Sequence, residues 1–475
     1  MALYFGINLG NDENIMNQED RTLNIEQNPE YKSQVNIRTK IVEILTRVET
    51  RQAYSDKLLD RELKEFEEVD RRFITEVVNG VLRWRERLDW YIRQLYLGEY
   101  ENLIPDVKNN LRSSVYQLTY LDKIPSYAVL FEAVEIAKEK YNQKTANLVN
   151  AILRNFLRQQ KKLDLLEKEL DILDKIALKF SHPKWLVQRW IEYWGIDEVS
   201  RLCESNNQRP RLSVRLNEAA VDREAFFKSL DENNVGYQVH PDFANFVWID
   251  NFQEFRKLDF LIKGWVTVQD ISTGLPVLIM DPQPGELVLD MCTAPGGKAS
   301  HIVEKMRGEG MFLALDRHLS RVRLTRENLR RLGNSGFFVV MADSNHLPTA
   351  RLFDRILIDA PCSGLGVLNK RVDLKWKRTE QDIINMKNVQ LSLLESAAKA
   401  LRVNGVIVYA TCTIELEEND RVIEQFLSRH PEFELQSLID VVPAQYLDGK
   451  YFVRTFPHKH RMDGSFAAKL VKKSD

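Results

Sequence analysis

The stretch LVLDMCTAPGGKASHIVEKM, Leu287 to Met306, decides how the rest of the chain is read. An apolar run ends in Asp290, a loop with Pro295, Gly296 and Gly297 follows, and the loop opens into a helical pattern at Lys298. Glycines at such a junction let backbone approach a ligand closely, and the N–H groups of a helix start face it. A Walker loop needs Gly six residues before its lysine and Ser or Thr after it, but Cys292 and Ala299 stand there. The GxGxxG dinucleotide fingerprint is absent as well. A ligand with ribose hydroxyls and no pyrophosphate fits better, with Asp316 at the end of the next run placed to accept from a ribose. On spacing alone, a glycine turn with a strand-ending Asp as helix cap stays open as the alternative.

Working outward, further apolar runs alternate with helical patterns: Met311 to Leu315, Phe337 to Ala342, Ile356 to Ile358 and Val406 to Ala410. That alternation predicts a doubly wound, Rossmann-like α/β domain over residues 281–475. The runs end at Asp290, Asp316, Asp343, Asp359 and Thr411-Cys412, and ligands of open α/β sheets bind outside the carboxyl ends of the strands, so these residues are expected around one crevice. Upstream, residues 209–280 show short β-like runs, Leu212 to Leu216 and Trp265 to Val268, around a helical Ala220 to Leu230, which predicts a small α+β subdomain. Residues 161–208 read as a helical connector in which Ser181-His182-Pro183 starts a helix.

Residues 35–160 carry helical periodicity throughout. Ile41, Ile44, Leu45 and Val48 fall on one face, and Phe73, Val77, Val81, Trp84, Leu88, Ile92 and Leu95 predict one long amphipathic helix. Arg83, Arg85, Arg87, Arg154 and Arg158 lie between the apolar positions and suit either solvated helix faces or an RNA-facing surface. Residues 1–34 are rich in Asn, Asp, Glu and Gln without period and are expected to be a disordered extension.

Across 475 residues, 67 Lys+Arg stand against 69 Asp+Glu, so the total charge names no partner and only local clusters can. One such cluster, Lys370, Arg371, Lys375, Lys377 and Arg378 around Trp376, combines phosphate attraction with a stacking group and is expected to contact RNA. Arg209, Arg211, Arg215 and the tail from Lys450 to Lys473 are weaker candidates of the same kind. The four cysteines, Cys203, Cys292, Cys362 and Cys412, form neither a CxxC pair nor a zinc spacing, so no metal is expected and a reducing, cytoplasmic setting fits. No secretory signal and no apolar stretch of about 18 residues is present, so no membrane span is expected. Cys203 and Cys292 read as small buried hydrophobes. Cys362 and Cys412, at adjacent strand ends of one crevice, are candidates for nucleophilic chemistry.

DMCTAPGGK, IDAPCSG and YATCT, in this order, resemble the RNA (cytosine-5)-methyltransferases, in particular the RsmB/Sun branch. VNGVLRWRERLDWYI and VNAILRNFLR resemble the NusB-like helical domain of that branch, and FSHPKWLVQRW and WVTVQDISTG resemble its later stretches. The resemblance implies S-adenosylmethionine held by Cys292, Thr293, Ala294, Pro295, Gly296, Gly297 and Lys298, with Asp316 at the ribose, Asp343 on the adenine side and Asp359 between cofactor and base. It further implies Cys412 as nucleophile, Cys362 as the residue that promotes product release, Lys298 as an orienting group, and a cytosine of 16S ribosomal RNA as substrate of a monomeric enzyme. Covalent attack by Cys412 on C6 would make C5 nucleophilic, and burial would keep Asp359 neutral to stabilise charge at N3. Transfer RNA as substrate, or a noncatalytic RNA-binding assembly factor, are the other readings. The sequence departs from the family pattern at Thr293 and Thr413, where Ala and Ser are commoner, and at Asp463-Gly464-Ser465-Phe466, where Asp-Gly-Phe-Phe is more usual.

Overall fold

A computed structural model describes residues 36–347 and 350–474. The expectation of disorder for residues 1–34 lies outside the described residues. The chain forms two compact units. One holds the residues up to Asn207 together with Arg371–Lys377, and the other holds Gln208–Lys370 with Arg378–Asp475.

In the helical unit the predicted stripe Ile41, Ile44, Leu45 and Val48 is buried on the helix Ile37–Thr50, which starts where the Asn36 side chain accepts from the N–H groups of Arg38 and Thr39. The single long helix expected over Phe73 to Leu95 is two helices, Glu68–Arg83 and Arg85–Leu95, interrupted at Trp84. Trp84 leaves helical backbone (φ −108°, ψ 17°), and the N–H of Glu86 that the break orphans is taken by the hydroxyl of Ser181 at 2.9 Å. Periodicity cannot report such a break, because the apolar stripe continues across it and the cap comes from 95 residues away.

Two of the interleaved arginines are held by acids within the unit. Arg83 is buried, Arg85 pairs with Glu49 at 3.1 Å, and Arg87 pairs with Glu167 at 3.0 Å. Arg154 and Arg158 stay exposed on the helix Gln143–Leu166. Fully buried Asp89 sits between Arg112, at 2.8 Å, and Tyr100; burial works against its charge, but the Arg112 guanidinium holds its pKa below the usual carboxylate value.

The other unit begins with a four-stranded antiparallel sheet of β1 (Leu212–Leu216), β2 (Tyr237–Val239), β3 (Phe246–Ile249) and β4 (Val266–Val268), in the order β2-β3-β1-β4. β1, β4 and the helix Arg223–Glu232 fall where the sequence places them.

A second sheet follows. β5 (Leu287–Asp290), β6 (Met311–Asp316), β7 (Phe337–Met341), β8 (Phe353–Asp359) and β9 (Leu401–Thr411) run parallel in the order β7-β6-β5-β8-β9. β10 (Phe433–Leu435), β11 (Leu447–Asp448), β12 (Phe452–Thr455) and β13 (Ser465–Lys472) complete it as antiparallel strands beyond β9, with β13 paired along Val406–Thr411. Of the expected tail cluster, Arg454 is buried between Asp420 and Asp448, whereas Lys450, Lys459, Arg461 and Lys473 are exposed. Strand order reverses between β5 and β8, which opens a crevice at their carboxyl ends. Among the described residues no helix is long and apolar enough to cross a membrane.

Candidate active site

The loop leaving β5 is fixed by its neighbours' backbones. Met291 N–H donates to Leu357 O and Thr293 N–H to Leu315 O, both at 3.0 Å, so the two flanking strands hold the loop over the switch point. Arg321 donates to Ala294 O and Asn328 to Pro295 O. Gly296 takes φ +99° just before the helix Gly297–Met306, and a Cβ there would stand 3.1 Å from Thr325 Cγ2. This is a position that requires glycine on both counts. Behind the loop, buried Arg215 of β1 donates to Gln269 Oε1 at 2.8 Å and Ser300 Oγ at 2.9 Å and pairs with Glu304, which couples the small sheet to that helix. The weaker expectation of RNA contact for Arg215 therefore gives way to a structural role.

Around the crevice, Asp316 is buried at the end of β6, where Oδ1 accepts from His318 N–H and Oδ2 faces Arg321 at 3.2 Å. Asp343 lies exposed beyond β7 and accepts from Asn345 N–H. Asp359, at the end of β8, accepts from Lys298 Nζ at 2.7 Å. Burial opposes the Lys298 charge, but Asp359, then Cys412 and Asp290, hold its pKa above the usual lysine value. The burial expected at Asp359 is found instead at Asp290, where burial first and the Asp359 charge second push the carboxyl up to about 7. Asp359 itself keeps 30% of its side chain exposed beside the Lys298 ammonium. Sequence reading missed this division because every strand-end Asp looks alike until its depth is known.

Cys362 and Cys412 meet directly. Their sulfurs are 3.1 Å apart, and the backbone N–H of Cys412 points at Cys362 Sγ from 3.3 Å. The hydrogen bond to Cys412 first, and burial second, push the Cys362 thiol well above its ordinary pKa. Either sulfur can donate in this contact. Cys203 is buried and pushed up to about 12, and burial raises Cys292 as well, which agrees with their reading as inert thiols.

The loop after Cys362 is strapped down. Gly366 N–H donates to Cys412 O, Gly464 N–H donates to Gly366 O at 2.8 Å, and a Cβ on Gly366 would fall 1.9 Å from Gly464 O. Lys370 then enters between Asp270 at 2.6 Å and Asp463 at 2.8 Å. The two carboxyls share one ammonium: Asp270 is held below the usual value, and burial with the Asp270 charge pushes Asp463 up to about 7. Ser465, at the departure from the family pattern, bonds Thr455 Oγ1 at 2.8 Å.

These contacts correct the expected RNA-binding cluster. Lys370 is committed to its two carboxylates. In the helical unit, fully buried Lys375 donates to Arg83 O and Ser181 O at 2.9 Å and to Asn207 Oδ1 at 3.0 Å, and burial with the Arg83 charge pushes its pKa well below the lysine value. Trp376 Nε1 donates to Leu82 O, and Lys377 donates to Ala53 O and Asp373. Arg371, 40% exposed, pairs with Asp56, and Arg378 donates to Ser363 O beside the Cys362 loop. Charge clustering in sequence signalled a surface, but the acceptors for these groups come from up to 324 residues away. Among the described residues no group of His, Cys, Asp and Glu is placed to hold a metal ion.

Three family models match the chain: 16S rRNA methyltransferase RsmB/F over residues 277–471, the NusB family over 35–158, and the RsmF/B-like ferredoxin-like domain over 182–255. The chain is 33% identical to a probable ribosomal RNA small subunit methyltransferase B of Bacillus subtilis, across 92% of this chain and 99% of that one. It is 34% identical to a ribosomal RNA small subunit methyltransferase B of Pectobacterium carotovorum, across 93% and 100%. The crystal structure of PH0851 superposes with a TM-score of 0.76 at 25% identity, over 92% of this chain and 99% of that chain.

Proposed function

Because this chain belongs to the ribosomal RNA small subunit methyltransferase B family, we propose that it methylates C5 of a cytosine in 16S ribosomal RNA through a covalent bond between Cys412 and C6 of the base. The observation that carries this reading is the Cys362–Cys412 pair, 3.1 Å apart at the carboxyl ends of adjacent strands, with Lys298 feeling the charge of both Cys412 and Asp359. Two thiols in direct contact suit attack on the base by one and assistance at its release by the other.

S-adenosylmethionine, when bound, supplies an electrophilic methyl group. The chain's residues fit it: the loop Cys292 to Lys298 lies over the switch point, Gly296 leaves room there that a Cβ would fill, and Asp316 stands buried at the end of the next strand. In our reading Asp316 holds the ribose, Asp343 the adenine side, and Asp359 lies between donor and base.

C5 of cytosine is a poor nucleophile. The Cys412 thiolate adds to C6, and the π electrons of the C5–C6 bond become available at C5. Asp359 in its protonated form donates to N3 as negative charge builds there, and the Lys298 ammonium, 2.7 Å from Asp359, offsets that charge. Once C5 carries the methyl group, a base removes its proton, the C–H pair reforms the C5–C6 double bond, and the C6–S pair returns to Cys412. Cys362, hydrogen-bonded to the departing sulfur, promotes this release.

The test is incubation with isotope-labelled S-adenosylmethionine and unmodified total RNA, followed by mapping of 5-methylcytosine. Label at one cytosine of 16S RNA supports the reading. Label confined to transfer RNA, or none, overturns it.

A further inference from the structure

Two adjacent residues outside every motif used so far bracket both cysteines. Glu418 and Asn419, six and seven positions after Cys412, are fully buried in the turn that precedes the helix Asp420–Arg429. Asn419 Oδ1 accepts from Thr411 Oγ1 at 2.6 Å, and its Nδ2 donates to Thr413 O at 3.0 Å, so one side chain grips the residues on either side of Cys412. Glu418 Oε2 accepts from Ser363 N–H at 2.8 Å and from Gln390 Nε2 at 2.9 Å. The same Gln390 nitrogen donates to Pro361 O at 2.9 Å, so Glu418 and Gln390 together grip the residues on either side of Cys362. A hydrogen bond between Ser363 Oγ and Thr413 Oγ1, at 2.8 Å, joins the two grips. Tyr409 donates to Glu418 O and anchors the turn to β9.

A buried carboxyl is costly unless the fold uses it. Oε1 of Glu418 has no hydrogen-bond partner, and burial pushes the carboxyl up to about 7. A smaller apolar residue would fill the turn without that cost. What the carboxyl provides is a rigid double acceptor next to Cys362, whose thiol also feels its charge.

We propose that Glu418 and Asn419 are positioning residues with divided tasks: Asn419 holds Cys412 for attack on the base, and Glu418, acting through Gln390 and Ser363, holds Cys362 for release of the product. This deepens the proposed reaction and rests on it. Neither residue touches the base, so each acts through its cysteine.

The test uses the full chain with unmodified RNA and S-adenosylmethionine, and reads two quantities: the rate at which a denaturation-resistant protein–RNA adduct forms, and the rate at which it decays. Asn419→Ala is expected to slow adduct formation roughly 10²-fold, as a displacement of about 1 Å does to a reacting group. Glu418→Ala and Gln390→Ala are expected to form the adduct and retain it, as Cys362→Ala does. Glu418→Gln, which keeps an acceptor in place, should restore release at least about tenfold over Glu418→Ala, since a lost hydrogen bond of this kind carries about that factor. In parallel, alkylation of the two thiols in the RNA-free protein is followed peptide by peptide across pH. Asn419→Ala should alter chiefly Cys412 and Glu418→Ala chiefly Cys362.

If both alanine variants slow formation equally and leave the ratio of the two alkylation rates at its wild-type value, the divided positioning is overturned. Should neither the wild type nor Cys362→Ala ever form an adduct, the covalent reaction fails instead, and the alkylation ratios still decide the positioning.

Discussion

Cys362 and Cys412 occupy equivalent places at the ends of neighbouring strands, yet their surroundings separate them. Cys362 is pushed up by its contact with Cys412 and by burial, and under the proposed division of roles replacing each cysteine should give opposite results. Cys412→Ala is expected to abolish methyl transfer, whereas Cys362→Ala should accumulate a protein–RNA adduct visible on a denaturing gel. At Asp290 the expectation concerns stability. Its folded pKa of about 7 lies above the usual unfolded value near 4, so the folded state retains a proton that the unfolded state has lost between those limits. The group's contribution therefore favours folding at low pH and fades as pH rises toward 7. Asp290→Asn should raise stability at pH 8 by about 2–4 kcal/mol relative to wild type and by much less at pH 4, as measured by denaturant unfolding. The motif residues were legible in sequence because each motif is contiguous and ends a strand. Which carboxyl is fully buried was not, because depth and the Lys298 partner are properties of the folded crevice.

Among elements, the loop from Cys362 to Lys370 and the strand β13 depend on one close approach. Gly366→Ala would place a methyl group against Gly464 O, so the loop must move. We expect a loss of about 1–3 kcal/mol in unfolding free energy together with lost methyl transfer. An alanine variant as stable and active as wild type would show that the two backbones are not this close. The parallel strands could be read from their apolar runs, whereas the short antiparallel strands β10 to β12 could not: each spans only a few residues, β10 and β12 pair with β13, and β11 pairs with β12. The break at Trp84 escaped reading for a related reason, since its stabilising cap is the distant Ser181.

At the scale of the whole molecule, the helical unit is not a continuous stretch of chain. Residues Arg371–Lys377 belong to it, Val372 packs in its core, and Lys375 satisfies three of its acceptors. Lys375→Met should therefore cost about 2–5 kcal/mol by leaving buried acceptors unpaired. A fragment ending at Asn207 should melt below the temperature at which the same helices unfold in the full chain, as hydrogen exchange on those helices would report. The near-balance of 67 basic and 69 acidic residues gains a physical meaning here, since several of the most clustered basic groups neutralise internal carboxylates or cap internal carbonyls. A local run of Lys and Arg in sequence does not distinguish that from a nucleic-acid surface.

The covalent role of Cys412 is the claim on which the functional account stands. Its most direct measurement is reaction of the protein with S-adenosylmethionine and 16S RNA carrying 5-fluorocytosine, in which C5 holds no removable proton after methylation and the adduct cannot be released. Proteolysis and mass spectrometry then locate the modified residue. The account predicts a methylated fluorocytosine attached at Cys412 alone. Attachment at Cys362, or methylation with no attached nucleotide, would contradict it.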